Sequence, residues 1–209
     1  MISLNLKGKH IGFGMTGSHC TYSEVLPQIE RLVDLGATVT PFVTYTVKHT
    51  NTRFGDGLEW VNKLEKVTGN RVIDSIVEVE PFGPKTPMDV MIIAPLTGNS
   101  LSKLANATTD SPVLMAAKAT LRNENPVVLG ISTNDGLGLS LANIAKLMVA
   151  KNVFFIPFGQ DDPVTKKTSL VAQMTVIPET VEAALERKQI HPVLIEKFRD
   201  EPFPFLFSL

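Results

Sequence analysis

A single cysteine, Cys20, stands in a chain of 209 residues, so no intrachain disulfide can form and nothing points to an oxidising compartment. Long apolar runs are missing too: the most apolar stretch, residues 90–96, falls far short of the roughly 20 residues that a spanning helix needs. Residues 1–9 carry no apolar segment of the signal-peptide kind. A cytoplasmic protein without membrane contact is the expectation. An excess of either charge is lacking as well, with 20 basic against 21 acidic residues and a formal net charge of -1. That balance leaves no electrostatic footprint for nucleic acid, so any phosphate must be recognised locally. The four histidines, His10, His19, His49 and His191, show no metal-ligand spacing, and no metal site is expected.

What is present is apolar content of 44%, enough to bury the core of one domain. Residues 9–14 read as a strand, and residues 22–35 as a helix with Val25, Leu26, Ile29, Leu32 and Val33 on one face. Gly36 stops it. Residues 37–44 form a second strand, in which Pro41 requires an edge or a bulge because it donates no ladder hydrogen bond. A helix over 58–67 ends at Gly69. Residues 89–94, 126–131 and 152–157 are continuous apolar runs of the kind that helices cover on both faces. Helical stretches lie between and beyond them, at about 100–106, 113–122, 139–151 and 178–188. Residues 78–88 and 161–167 read as surface loops. This alternation predicts an α/β fold: one Rossmann-like, flavodoxin-like domain with a doubly wound, mostly parallel sheet and helices on both faces. Residues 1–170 make up that domain, and 171–209 a helical extension. Its tail, with Phe203, Phe205 and Phe207, must be covered by its own core or by a neighbouring copy.

Three strand ends carry small polar residues. Gly12, Gly14 and Gly17 satisfy a literal Gly-x-Gly-x-x-Gly, but Thr40, Thr44 and Thr46 stand where a dinucleotide site wants an acid about 20 positions on. The better unit is Gly14, Thr16, Gly17 and Ser18, whose amides and hydroxyls at a helix start suit a mononucleotide phosphate. Thr97, Gly98, Asn99 and Ser100 repeat that chemistry after the strand at 89–94, with Thr97 or Asn99 also a candidate helix cap. Residues 132–136, from Ser132 through Asn134 to Gly136, do so again. Together these turns point to a phosphorylated cofactor on one shared rim. His19 and His49, the latter in a loop over 46–56, are candidates for proton transfer or are merely solvated. Cys20 is either an activated thiol at a helix start or a quiet, buried one. Lys48, Arg53 and Lys103 are candidate clamps for a carboxylate, or ordinary surface charge.

The two turns, in this order, resemble those of the flavoprotein family that includes the homo-oligomeric flavin-containing cysteine decarboxylases. Members carry Gly-x-Thr-Gly-Ser, matched at Gly14, Thr16, Gly17 and Ser18. They also carry Pro-Ala-x-Ala-Asn-Thr-x-x-Lys, matched loosely at Pro95, Asn99, Ser100 and Lys103. Longer stretches at 9–20, 94–110, 112–117, 131–138 and 151–160 are similar to the branch of that family formed by the B subunits of dipicolinate synthases. The resemblance implies FMN, with Gly14, Thr16, Gly17, Ser18, Thr44, Pro95, Thr97, Asn99, Ser100 and Ser132 around it. It also implies oxidation of a dihydro- or hydroxytetrahydro-dipicolinate to dipicolinic acid during sporulation; Asn134, kept from the family's pattern, joins His19 and His49, read from their places by the rim, as the catalytic candidates. The partners it implies are the synthase's A subunit, which would carry NADPH, a small dicarboxylate substrate and further copies of the chain. The decarboxylases' histidine is missing from 78–88, and their Pro-Ala-Met-Asn is replaced around Ser132 and Asn134. A flavin-dependent decarboxylase and a non-catalytic assembly subunit stay open beside the synthase reading.

Overall fold

The structure, a computed structural model, describes residues 4–196. Five parallel strands form its centre: β1 (His10–Met15), β2 (Thr38–Val43), β3 (Val90–Leu96), β4 (Val127–Thr133) and β5 (Val153–Phe155). Their order across the sheet is β2-β1-β3-β4-β5. The apolar runs sit at the middle of it, and β3 is buried along its whole length, as a strand covered on both faces must be. Pro41 lies in β2, the edge strand, where its missing N–H leaves no gap in a ladder.

The helices are α1 (Tyr22–Asp34), α2 (Tyr45–His49), α3 (Gly57–Thr68), α4 (Gly98–Ala105), α5 (Pro112–Arg122), α6 (Ser140–Met148) and α7 (Ile177–Leu185). Gly36 takes φ +89° just after α1, and Gly69 caps α3 at φ +67°, its amide donating to the Glu65 carbonyl. Both are left-handed conformations that glycine adopts without a Cβ penalty. Side chains alternate along β1, so Ile11, Phe13 and Met15 serve one face while Gly12 and Gly14 face the other. A Cβ on Gly14 would come within 2.6 Å of Val113 Cγ1 in α5. The glycine therefore lets that helix settle on the sheet.

Three elements depart from the sequence expectation. The loop expected at 46–56 begins with the helical turn α2, whose Thr and Val content gives little helical propensity and which is held by packing on α3. Inside the loop expected at 78–88 lies much of a short 3-10 helix, Val77–Phe82. The apolar run at 152–157 is a strand only at Val153–Phe155; the chain then turns back through β6 (Phe158–Gly159) and β7 (Leu170–Ala172). Strand β7 lies antiparallel to the end of β4, at Ser132 and Thr133, and β6 lies outside it. The boundary drawn at residue 170 falls inside β7, while α7 packs over β3, β4 and β5 and against α1. The Phe-rich tail lies outside the described residues.

Candidate functional site

An order of β2-β1-β3-β4-β5 reverses direction between β1 and β3, and ligands of such sheets bind at the carboxyl ends of the strands beside that point. The turn after β1 is residues 16–18 and the turn after β3 starts α4 at Thr97, so both border the switch point. Thr97 is the helix cap, its hydroxyl accepting from the Ser100 amide at 3.3 Å. Thr16 pins the two turns together. Its hydroxyl donates to the Pro95 carbonyl at 2.7 Å and accepts from the Thr97 amide at 2.9 Å, fully buried. The Tyr22 hydroxyl in turn donates to the Thr16 carbonyl at 2.8 Å. Further along the rim, the hydroxyls of Ser18 and Ser132 lie 2.7 Å apart, joining the β1 turn to the end of β4 above β3.

Two grooves lie along this rim. The first, of about 490 Å³, runs between Gly17, Thr44, Tyr45 and Thr46 on one side and Thr97, Asn99, Ser100 and Ser111 on the other. The amino ends of α4 and α5 both open on it, through Asn99 and Ser111: the Gly98 and Asn99 amides have no partner within α4, while α5 begins with Pro112, which has no N–H, and its Leu114 amide is bonded to the Ser111 hydroxyl. The Thr44 hydroxyl is buried there without a hydrogen-bond partner. The second groove, of about 640 Å³, is bordered by Ser18, Cys20, Ser132, Asn134, Asp161, Lys166 and Ser169. Gly17 and Thr97 border both, so the two grooves adjoin along the rim and together make a polar trough.

The structure thus gathers Gly17, Ser18, Thr44, Thr97, Asn99, Ser100, Ser132 and Asn134 around one trough. Others named from the sequence lie elsewhere. Gly14 is a packing residue within β1, the Thr16 hydroxyl is spent on the pin, and Pro95 is buried and contributes the carbonyl that Thr16 uses. His19 borders neither groove; its ring lies 5.0 Å from that of Tyr22 and its Nε2 is buried without a partner. His49 closes α2, exposed and stacked on Tyr45. Cys20 is exposed at the second groove, which corrects the buried reading: it stands in the 3-10 turn His19–Thr21 that leads into α1. Of the candidate clamps, Lys48 pairs with Asp74 and Arg53 lies over the Phe54 ring at 4.8 Å. Lys103 does reach the first groove, held by Asp110 at 2.5 Å. Tyr45, Thr46, Ser111, Asp161, Lys166 and Ser169 were not anticipated, because they come from elements adjacent to the rim only in space.

Burial, and secondarily the neighbouring Cys20, pushes the Tyr22 phenol well above its ordinary value of 10.0. Its contribution to stability is therefore complete below about pH 10 and is lost as pH rises toward the higher folded value, because only the unfolded chain ionises readily. Urea midpoints measured from pH 9 to 11 should fall more steeply for the wild type than for Tyr22→Phe. Parallel slopes would mean that Tyr22 is not what the alkaline pH acts on.

The Flavoprotein family model matches residues 2–188. The chain belongs to this family. This flavoprotein is 65% identical over 195 residues to the B subunit of dipicolinate synthase from Bacillus subtilis (strain 168), a match covering 93% of the chain and 98% of that relative. The crystal structure of the dipicolinate synthase B subunit from Bacillus halodurans C aligns at a TM-score of 0.86 with 66% identity, over 93% of this flavoprotein and 100% of that chain. A more distant structure, Burkholderia xenovorans DmrB in complex with FMN, described as a cubic protein cage for redox transfer, shares the fold at a TM-score of 0.57. It is 17% identical, over 70% of this flavoprotein and 87% of DmrB. Among the described residues, no helix of the flavoprotein is long and apolar enough to cross a membrane.

Proposed function

We propose that this flavoprotein is the B subunit of a dipicolinate synthase, working with an A subunit to oxidise a dihydro- or hydroxytetrahydro-dipicolinate to dipicolinic acid during sporulation. The observation that carries this reading is 65% identity to such a protein over nearly the full length of both chains. An FMN-type cofactor belongs to the proposal, and the trough fits one. Two helix amino ends and the unpartnered Thr44 hydroxyl offer donors for a phosphate, and Gly17, Ser18, Thr97, Asn99, Ser100 and Ser132 offer amides and hydroxyls for a ribityl chain. Bound there, a flavin would supply a two-electron acceptor.

The chain's own residues would orient the ring and the substrate. The second groove, with Asn134, Ser132, Ser169 and Lys166, presents donors to a small dicarboxylate, and Lys166 lies 3.7 Å from Asp161. NADPH falls to the A subunit in this proposal. Homo-oligomerisation falls to this chain, as DmrB, of the same fold, forms a cage. We also assign His19 proton transfer: it directly follows the turn at 16–18, and its Nε2 is buried without a hydrogen-bond partner.

One observation favours an assembly subunit without chemistry of its own: the lysines bordering the two grooves, Lys103 and Lys166, each already face a carboxylate. Two measurements separate the readings. The purified chain should be yellow, or become so on addition of FMN followed by gel filtration; a colourless chain that retains none removes the cofactor. Synthase turnover by the A subunit should rise when this chain is added and should fall with Asn134→Ala; full turnover by the isolated A subunit removes any chemical contribution.

A further inference from the structure

Tyr45 is the first residue of α2, follows the cap residue Thr44, and is 76% exposed. A tyrosine left so open at a helix start ordinarily turns freely, but His49, one helical turn later, stacks on its ring with centroids 4.2 Å apart and planes 27° apart. One face of the phenol ring is thus occupied and its orientation fixed, while the exposed remainder stands at the first groove. The other residues bordering that groove are polar or aliphatic, so Tyr45 is its one aromatic surface among the described residues. Its immediate neighbour is the unpartnered Thr44 hydroxyl. Polar donors at one end and a braced aromatic face at the lip together match a ligand with an anionic end and a flat ring.

We propose that Tyr45, held in place by His49, is the stacking platform for the planar ring of the cofactor, the isoalloxazine if the cofactor is FMN. The inference rests on the FMN reading above and gives it a residue that no turn motif marks. Stacking of a flat ring on an aromatic side chain is lost with alanine and kept with phenylalanine, because it depends on the ring and not on the hydroxyl. His49 acts through Tyr45 and is a positioning residue.

The test is a titration of the full chain with FMN, followed by flavin fluorescence, in the wild type and in Tyr45→Ala, Tyr45→Phe and His49→Ala. These side chains are exposed, and circular dichroism should show all three variants folded. The wild type should quench the flavin on binding. Tyr45→Ala should bind about 10-fold or more weakly, with fluorescence recovered in the bound form. Tyr45→Phe should match the wild type, and His49→Ala should fall between. FMN bound with unchanged affinity and quenching by Tyr45→Ala would overturn the platform and leave the cofactor reading standing. A wild-type chain that takes up no FMN overturns both.

Discussion

Thr16→Val should destabilise the fold by roughly 2–4 kcal/mol and abolish ligand uptake in the first groove. The substitution keeps the shape of the side chain and removes its hydroxyl, which leaves the Pro95 carbonyl and the Thr97 amide without the partners they have now, at 2.7 and 2.9 Å. A buried polar group left unsatisfied costs about 1–3 kcal/mol, and two are stranded here. Against a total stability of about 5–15 kcal/mol, that is a large share. The functional effect arises because these two bonds hold the β1 turn to the β3 turn, and both turns border the trough. Thr16→Ser restores the hydroxyl and should recover both properties in large part. Urea denaturation and FMN titration of the three proteins decide the matter: a Thr16→Val midpoint equal to the wild type would show that the pin carries no weight.

Gly57→Ala should be the more damaging of two glycine replacements that look alike on paper. A Cβ at Gly57 would lie 2.3 Å from the Lys48 carbonyl oxygen, 2.6 Å from its carbon and 2.7 Å from the Val47 oxygen. These are backbone atoms of α2 and its end, and they cannot rotate aside. A Cβ at Gly12 would meet sulfur atoms at 2.2 and 2.7 Å, but those belong to Met88 and Met91, whose side chains can rearrange. Overpacking of a fixed neighbour costs about 1–3 kcal/mol and occasionally more. Gly57→Ala should reach or exceed the top of that range, and Gly12→Ala should stay below it. Since α2 bears Tyr45 and follows Thr44, Gly57→Ala should also weaken FMN binding, which Gly12→Ala should spare. Equal destabilisation by the two would contradict this reading of α2 as a rigid wall.

Much of the fold could be read from the chain because its central strands are uninterrupted apolar runs and two of its longest helices, α1 and α3, end at glycines. The runs at 89–94 and 126–131 became β3 and β4, Gly36 and Gly69 closed their helices, and Pro41 lay on the edge. The elements that escaped were α2, the 3-10 helix Val77–Phe82, β6 and β7, of 5, 6, 2 and 3 residues. Segments that short have no periodicity to detect, and long-range contacts decide them. The rim was legible for a related reason: small polar residues directly after buried strands mark the carboxyl end of a sheet. Orientation was not legible. Nothing in Gly-x-Thr-Gly-Ser says that Thr16 faces Pro95 while Ser18 faces Ser132, and nothing marks Ser111, Asp161 or Lys166 as neighbours of those turns.

Strand β4 changes partners midway: Val127 to Leu129 pair with β5, and Ser132 and Thr133 pair with β7. The two partners are separated in the chain by β6 and the loop that follows it. A ribosome delivers the amino end first, so the segments that line the first groove, within residues 17–114, can be complete while residues beyond 160 are still unmade, although α7 must follow to cover β3, β4 and β5. The second groove cannot, because Lys166, Ser169 and β7 form one of its walls. The walls of the trough are accordingly synthesised in order, those of the proposed cofactor seat before those of the proposed substrate seat.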